Sequence, residues 1–167
     1  MDMILIRHAI AEEADPQRWP YDALRPLTPF GRERFAPAAR GLGTLVGRVE
    51  LLLASPYVRA WDTARILSDQ ADWPAPTSCP ELAAHASVGE ARARLVALPD
   101  NGTVVCVGHE PNLTLLARAL LRAKDVDEVP WFKKGGALCV RFRETVEPRR
   151  GTLHWARTPK ELRKLGG

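Results

Sequence analysis

The sequence predicts an α/β fold, a three-layer α/β/α sandwich around a mostly parallel central sheet with an antiparallel hairpin at one edge. Three observations point there. Short runs rich in Val, Leu and Ile alternate with stretches of helical periodicity. The run TVVCVG at 103–108 is continuously apolar, as a strand covered on both faces must be. Two late strand-like runs are joined by a polar turn, the pattern of a hairpin. With 167 residues the chain is long enough to bury such a core, and one domain, residues 1–167, is expected.

Each element can be justified in order. The first strand is read at Met3 to Arg7 and the second at Val49 to Ser55, followed by Thr103 to Gly108, Ala137 to Phe142 and Thr152 to Ala156. The last two form the edge hairpin, turning around Glu147 to Gly151. Helix starts are written in capping residues. Thr28-Pro29 is an N-cap followed by proline at the first helical position, and Ser55-Pro56 repeats that chemistry. Ser87-Val88-Gly89-Glu90 is a capping box for a helix to about Leu98. Glu110-Pro111 precedes a helix from Asn112 to Arg122, and Thr158-Pro159 starts a short C-terminal one. Pro37, inside the first helix, predicts a kink or an early break near Phe35.

Composition narrows the function classes. Apolar residues make up 46% and charged residues 26%, the balance of a globular protein and not of a disordered chain. The apolar stretches Leu51 to Ala54 and Leu113 to Ala117 fall far short of the roughly 20 residues a membrane span needs, so no membrane association is expected. Arg7 and His8 interrupt the apolar segment near the N-terminus, so no signal peptide is expected. Cys79, Cys106 and Cys139 are far apart and in no metal-ligand spacing. They read as apolar packing residues of a cytoplasmic protein that uses neither metal nor organic cofactor. The formal charge of +4 comes from scattered Arg and Lys, with no run longer than Lys133–Lys134 or Arg149–Arg150. That pattern excludes a nucleic-acid arm and hints at an anionic ligand. Nothing demands an oligomer, and a monomer is expected.

Polar residues collect where three core strands end. The first strand ends in Arg7-His8, the second in Ser55-Pro56-Tyr57-Val58-Arg59, and the third in Gly108-His109-Glu110-Pro111. In open α/β sheets ligands bind beyond the carboxyl ends of the strands, where helix N-termini expose unpaired N–H groups. Arg59, in the first turn of its helix, can bind two oxygens of a phosphate at once. Two Arg and two His around one point make a phosphate-sized positive pocket. No acidic metal cluster or Gly-rich nucleotide loop accompanies it.

The segments IRHA at 6–9, LTPFGRERF at 27–35, SPYVRAWDTARIL at 55–67 and VGHEPNL at 107–113 resemble the histidine phosphatase superfamily. Their order and spacing are similar to its small SixA-like phosphohistidine phosphatases, in which RHA is a familiar variant of the usual Arg-His-Gly. The resemblance implies that His8 is a nucleophile that takes the phosphoryl group, and that Arg7, Arg59 and His109 form the phosphate pocket and share in catalysis. Physically, the Arg7 and Arg59 charges should disfavour the cationic form of His8 and so keep its attacking nitrogen free. They should also neutralise charge on the transferring phosphoryl group.

The proton donor is less legible. Mutase-like relatives carry a carboxylate soon after the stretch at 79–82, whereas here CPELAAHAS has alanine beyond Glu81-Leu82. Glu81, His85 and Glu110 are the candidates. A phosphohistidine substrate relaxes the requirement, because imidazole can leave without a strong protein acid. The expected activity is therefore removal of phosphate from phosphohistidine, with a phosphorylated protein as partner. Hydrolysis of a small sugar or nucleotide phosphate ester is one alternative, and a phosphate-recognising module without turnover is another.

Overall fold

A computed structural model describes residues 1–99 and 102–167 of the chain. Among them, six strands form one sheet: β1 Asp2–Arg7, β2 Leu51–Ala54, β3 Thr77–Ser78, β4 Thr103–Gly108, β5 Ala137–Arg141 and β6 Thr152–Arg157. Their order is β3-β2-β4-β1-β5-β6. The first four run parallel, while β5 is antiparallel to β1 and β6 to β5, so the expected edge hairpin is present. The register of β5 and β6 shifts at Cys139/Val140.

The five helices are α1 Pro29–Val46, α2 Val58–Ala71, α3 Val88–Val96, α4 Asn112–Leu120 and α5 Pro159–Leu165. Side chains alternate across the sheet with the strand period of two, which sorts the interior into two layers. Met3, Leu5, Val104, Cys106, Leu138 and Val140 pack under α3 and α4 with Leu95, Leu113 and Leu116. Ile4, Ile6, Val105, Val107, Ala137 and Cys139 pack on the other face under α1, α2 and α5 with Phe35, Leu42, Ala64 and Leu162. The part of a central strand that is buried on both faces must be apolar, and Met3–Ile6 of β1 and Val104–Val107 of β4 are.

The caps at Thr28, Ser87 and Thr158 form as read. Thr28 Oγ accepts from Gly31 N–H at 2.8 Å, and both Ser87-Glu90 and Thr158-Glu161 are reciprocal capping boxes. The break at Pro37 and the Ser55 cap are not borne out, and one strand was not foreseen. Pro37 does not break α1, which continues to Val46 because its sides are held against α2 and α5. Ser55 does not cap α2, which starts at Val58 after Tyr57; Ser55 faces His109 instead. The two-residue strand β3 is too short to leave a periodic trace in sequence. All three cysteines are buried and free.

The path of the chain after β1 depends on a glycine. A Cβ on Gly31, in the first turn of α1, would lie 2.1 Å from the carbonyl oxygen of Ile10. By contrast, a Cβ on Gly89 in α3 would meet only Ser87 Oγ at 3.8 Å. Gly31→Ala is expected to lower the unfolding free energy by about 1–3 kcal/mol through overpacking. Gly89→Ala is expected to be neutral or stabilising by up to about 1 kcal/mol, since only helix propensity changes. Urea denaturation of the two variants checks the contrast; equal losses would contradict the close approach at Ile10.

Candidate active site

The carboxyl ends of β1, β2 and β4 bring the predicted residues together. His8 follows β1, Ser55 follows β2, and His109 follows β4, which lies between β1 and β2 in the sheet. The His8 and His109 ring centroids are 5.2 Å apart. Tyr57 packs edge-on against His109 at 5.1 Å, and the Arg59 guanidinium lies 5.0 Å over the Tyr57 ring. His8, Arg59 and His109 are 6%, 3% and 3% exposed, so a compact polar cluster sits below the surface.

The backbone around His8 is tied on every side. His8 N–H donates to Gly108 O at 3.1 Å, and Arg7 N–H donates to Gly136 O at 3.1 Å. Gly135 N–H donates to the carbonyls of Arg7 and His8 at 3.0 and 3.1 Å; its φ of 79° falls in the region glycine adopts without strain. Ala9 N–H donates to Thr63 Oγ1 at 3.0 Å, and that hydroxyl donates to Arg59 O at 2.7 Å. Thr63 thus couples the segment after β1 to the helix carrying Arg59.

The ring of His8 is oriented by its neighbour. Nδ1 lies 2.7 Å from the carbonyl oxygen of Ala9. A carbonyl can only accept, so Nδ1 carries the proton and Nε2 keeps its lone pair. Burial drives the His8 pKa down most; the Ala9 bond opposes it, and the charges of Arg59, Arg7 and Lys134 lower it further, to about 3. The sequence reading assigned this shift to the arginines, but desolvation is the larger cause. His109 is also held neutral, first by burial and then by His8 and Arg59. Its Nε2 lies 2.8 Å from Ser55 Oγ, which accepts Tyr57 N–H at 3.3 Å.

The two arginines are held but not saturated. Arg7 Nη1 donates to Phe132 O at 2.7 Å. Arg59 Nη1 and Nη2 donate to the backbone oxygen and Oδ2 of Asp22, both at 2.8 Å. The guanidinium fork expected to face a phosphate is therefore occupied by Asp22, on a 3-10 turn at Asp22–Leu24. Asp22 also accepts from Arg25 Nε at 2.8 Å; burial would raise its carboxyl, yet the bonds from Arg25 and Arg59 hold it below the usual value. Among the described residues, five buried side-chain nitrogens or oxygens have no hydrogen-bond partner, and three of them are Arg7 Nε, Arg59 Nε and His109 Nδ1.

The donor candidates fare differently. His85 Nδ1 lies 2.9 Å from the Tyr57 hydroxyl and so joins the cluster through that ring. Glu110 accepts from the N–H and hydroxyl of Thr114 at the start of α4, and burial raises its pKa against those bonds and the Arg7 charge. Glu81 accepts from Cys79 Sγ at 3.3 Å. Sequence reasoning missed Asp22, Thr63, the pairing of Ser55 with His109 and the Tyr57–His85 contact. Asp22 lies three residues before Arg25 with no strand end or cap to mark it, and the others signal only through tertiary partners. Among the described residues, no group of three or more His, Cys, Asp or Glu is arranged to hold a metal ion, and no helix is long and apolar enough to cross a membrane.

No protein-family model matches the chain. An uncharacterized protein of Picosynechococcus is 37% identical over 123 residues, covering 72% of this chain and 73% of the relative. Phosphohistidine phosphatase SixA of Escherichia coli is 28% identical over 145 residues, covering 85% of this chain and 86% of the relative. A solved structure of the protein histidine phosphatase SixA complexed with tungstate superposes with a TM-score of 0.83 at 27% identity, covering 97% of this chain and 99% of that one. With these likenesses covering between 72% and 97% of its length, the chain belongs to the histidine phosphatase superfamily as a SixA-like phosphatase.

Proposed function

We propose that the chain hydrolyses phosphohistidine on a protein substrate through a covalent phospho-His8 intermediate. The observation that carries this reading is the trio of buried, unpartnered nitrogens on Arg7, Arg59 and His109 around a neutral His8. Buried polar groups normally have partners, and three orphans in one cluster call for an oxygen-rich ligand. SixA, the relative named as a phosphohistidine phosphatase, supports the substrate class.

The lone pair of His8 Nε2 attacks phosphorus as the P–N bond of the substrate breaks. A substrate imidazole protonated on its distal nitrogen then leaves as a neutral ring. Arg7 and Arg59 face the equatorial oxygens and neutralise the charge spread over them. We assign the His109 proton to Nδ1, with Nε2 accepting from the Ser55 hydroxyl at 2.8 Å, so that the ring offers Nδ1–H to the phosphoryl group. Water next attacks phosphorus, the bond to Nε2 breaks, and phosphate is released with His8 restored. His85, linked to the cluster through Tyr57, is the candidate to exchange protons with the leaving group or the water. Arg59 meets the phosphoryl group through Nε, while Asp22 holds the rest of its guanidinium in position.

Brief incubation with a labelled phosphohistidine protein is expected to leave acid-labile, alkali-stable label on the wild type and none on His8→Asn. Absence of label with phosphate binding retained would leave a non-catalytic module. Faster turnover of p-nitrophenyl phosphate than of the phosphohistidine protein would favour the small-ester reading. Arg59→Ala is expected to lower kcat by roughly a hundredfold, as for other preorganised charge stabilisers.

The depressed pKa gives a pH signature of definite sign. Because the folded pKa of His8 lies below the ordinary 6.5, its contribution to stability is complete above about 6.5 and is lost as pH falls toward about 3. Between pH 8 and 5 the His8 ring should stay neutral, whereas an ordinary histidine would become about 97% protonated at pH 5. Ring carbon and proton shifts followed by NMR check this, and a His8 midpoint near 6.5 would contradict it.

A further inference from the structure

Beside the nucleophile lies a second basic feature that phosphoryl chemistry does not use. A cavity of about 290 Å³ opens next to Ala9 and is lined by Arg34, Lys133, Lys134, Lys160 and Arg163, with no carboxylate on its walls. In sequence these charges are far apart. The fold gathers them from α1, the loop before β5, and α5.

Among the described residues none of the five cavity cations forms an ion pair; Glu161, between Lys160 and Arg163 on α5, accepts instead from the N–H and hydroxyl of Thr158 at 2.8 and 2.7 Å. Elsewhere arginines find carboxylates, as in Arg25–Asp22, Arg32–Asp62, Arg122–Asp125 and Arg141–Asp2. Arg34 instead lies over the Phe30 ring. Burial and the neighbouring Arg34 charge both lower the pKa of Arg163, so the cluster works against itself. Like charges gathered around a concavity cost stability, and they concentrate counter-charge from solution.

We propose that this cavity binds an acidic stretch of the protein that carries the phosphohistidine, an inference that rests on the function proposed above. Two features select a polypeptide over a small polyanion. Lys134 lies in the cavity wall and also acts electrostatically on His8, so the basic surface is continuous with the phosphoryl site. The cavity shares Lys133 and Thr158 with a mostly apolar groove that includes Trp131, Phe132 and Leu138, where Glu161 is the one carboxylate among the described lining residues and is engaged by Thr158, and Trp131 is 63% exposed. Cations beside an exposed tryptophan suit a partner offering acidic and apolar side chains together. A small polyanion would have no use for the groove.

The test uses two phosphohistidine peptides, one flanked by glutamates and one by alanines, with unphosphorylated fluorescent versions of both. The double variant Arg34→Glu/Lys160→Glu leaves the active-site residues intact; Arg34→Gln/Lys160→Gln serves as a second variant should the reversed charges impair folding. Wild type is expected to favour the glutamate peptide in kcat/KM and in anisotropy binding by about tenfold or more at low ionic strength. The variants should lose that preference while p-nitrophenyl phosphate turnover stays within about twofold. Equal use of both peptides by wild type, or a preference surviving in both variants, would overturn the proposal. So would displacement by tripolyphosphate or an RNA oligonucleotide of a site indifferent to peptide charge. Because the binding arm needs no turnover, a chain that binds the glutamate peptide but cleaves neither would count against the proposed reaction and leave this site standing.

Discussion

The bond from His8 Nδ1–H to the carbonyl of Ala9 is the constraint on which the site depends. It costs no other residue a partner, since the acceptor is the next peptide group, and it leaves Nε2 as the nitrogen with a lone pair. It can do this only if that carbonyl is fixed. Thr63 holds the Ala9 amide, Gly135 holds the carbonyls of Arg7 and His8, and Gly31 leaves room for Ile10 to pass. The neutral His8 ring is thus oriented by backbone, and the backbone by three separate segments.

Burial and charge act on that ring in the same direction, but burial is stronger. Removing an imidazole from water disfavours its cation whatever surrounds it, whereas the guanidiniums of Arg7 and Arg59 are half engaged by Phe132 O and by Asp22. The carboxylate of Asp22 also offsets part of the positive field that Arg59 projects. The arginines therefore contribute less than burial does to the protonation state of His8.

Much of this was legible in the sequence because it is local. The continuous apolarity of β1 and β4, the capping pairs at Thr28, Ser87 and Thr158, and the polar residues terminating three strands are all readable within a few positions. What escaped is relational. Asp22 belongs to the site only because a 3-10 turn carries it to Arg59, and Ser55, which looks like a helix cap, is drawn off by a histidine 54 residues away. Pro37 misleads for the same reason, since packing on two flanks outweighs a local breaker. The basic cavity was invisible in charge runs because its members come from three segments.

The two margins of the sheet differ in a way that bears on how copies of the chain behave in crowded solution. On one side β3 offers just two residues, too few to template another strand. On the other, β6 is six residues long, but its pairing with β5 is interrupted by an irregularity, and exposed His154 and Arg157 stud its length. Neither rim presents the long, flat, apolar ribbon that recruits a neighbour's strand, so edge-to-edge growth toward fibrils is disfavoured by the architecture itself.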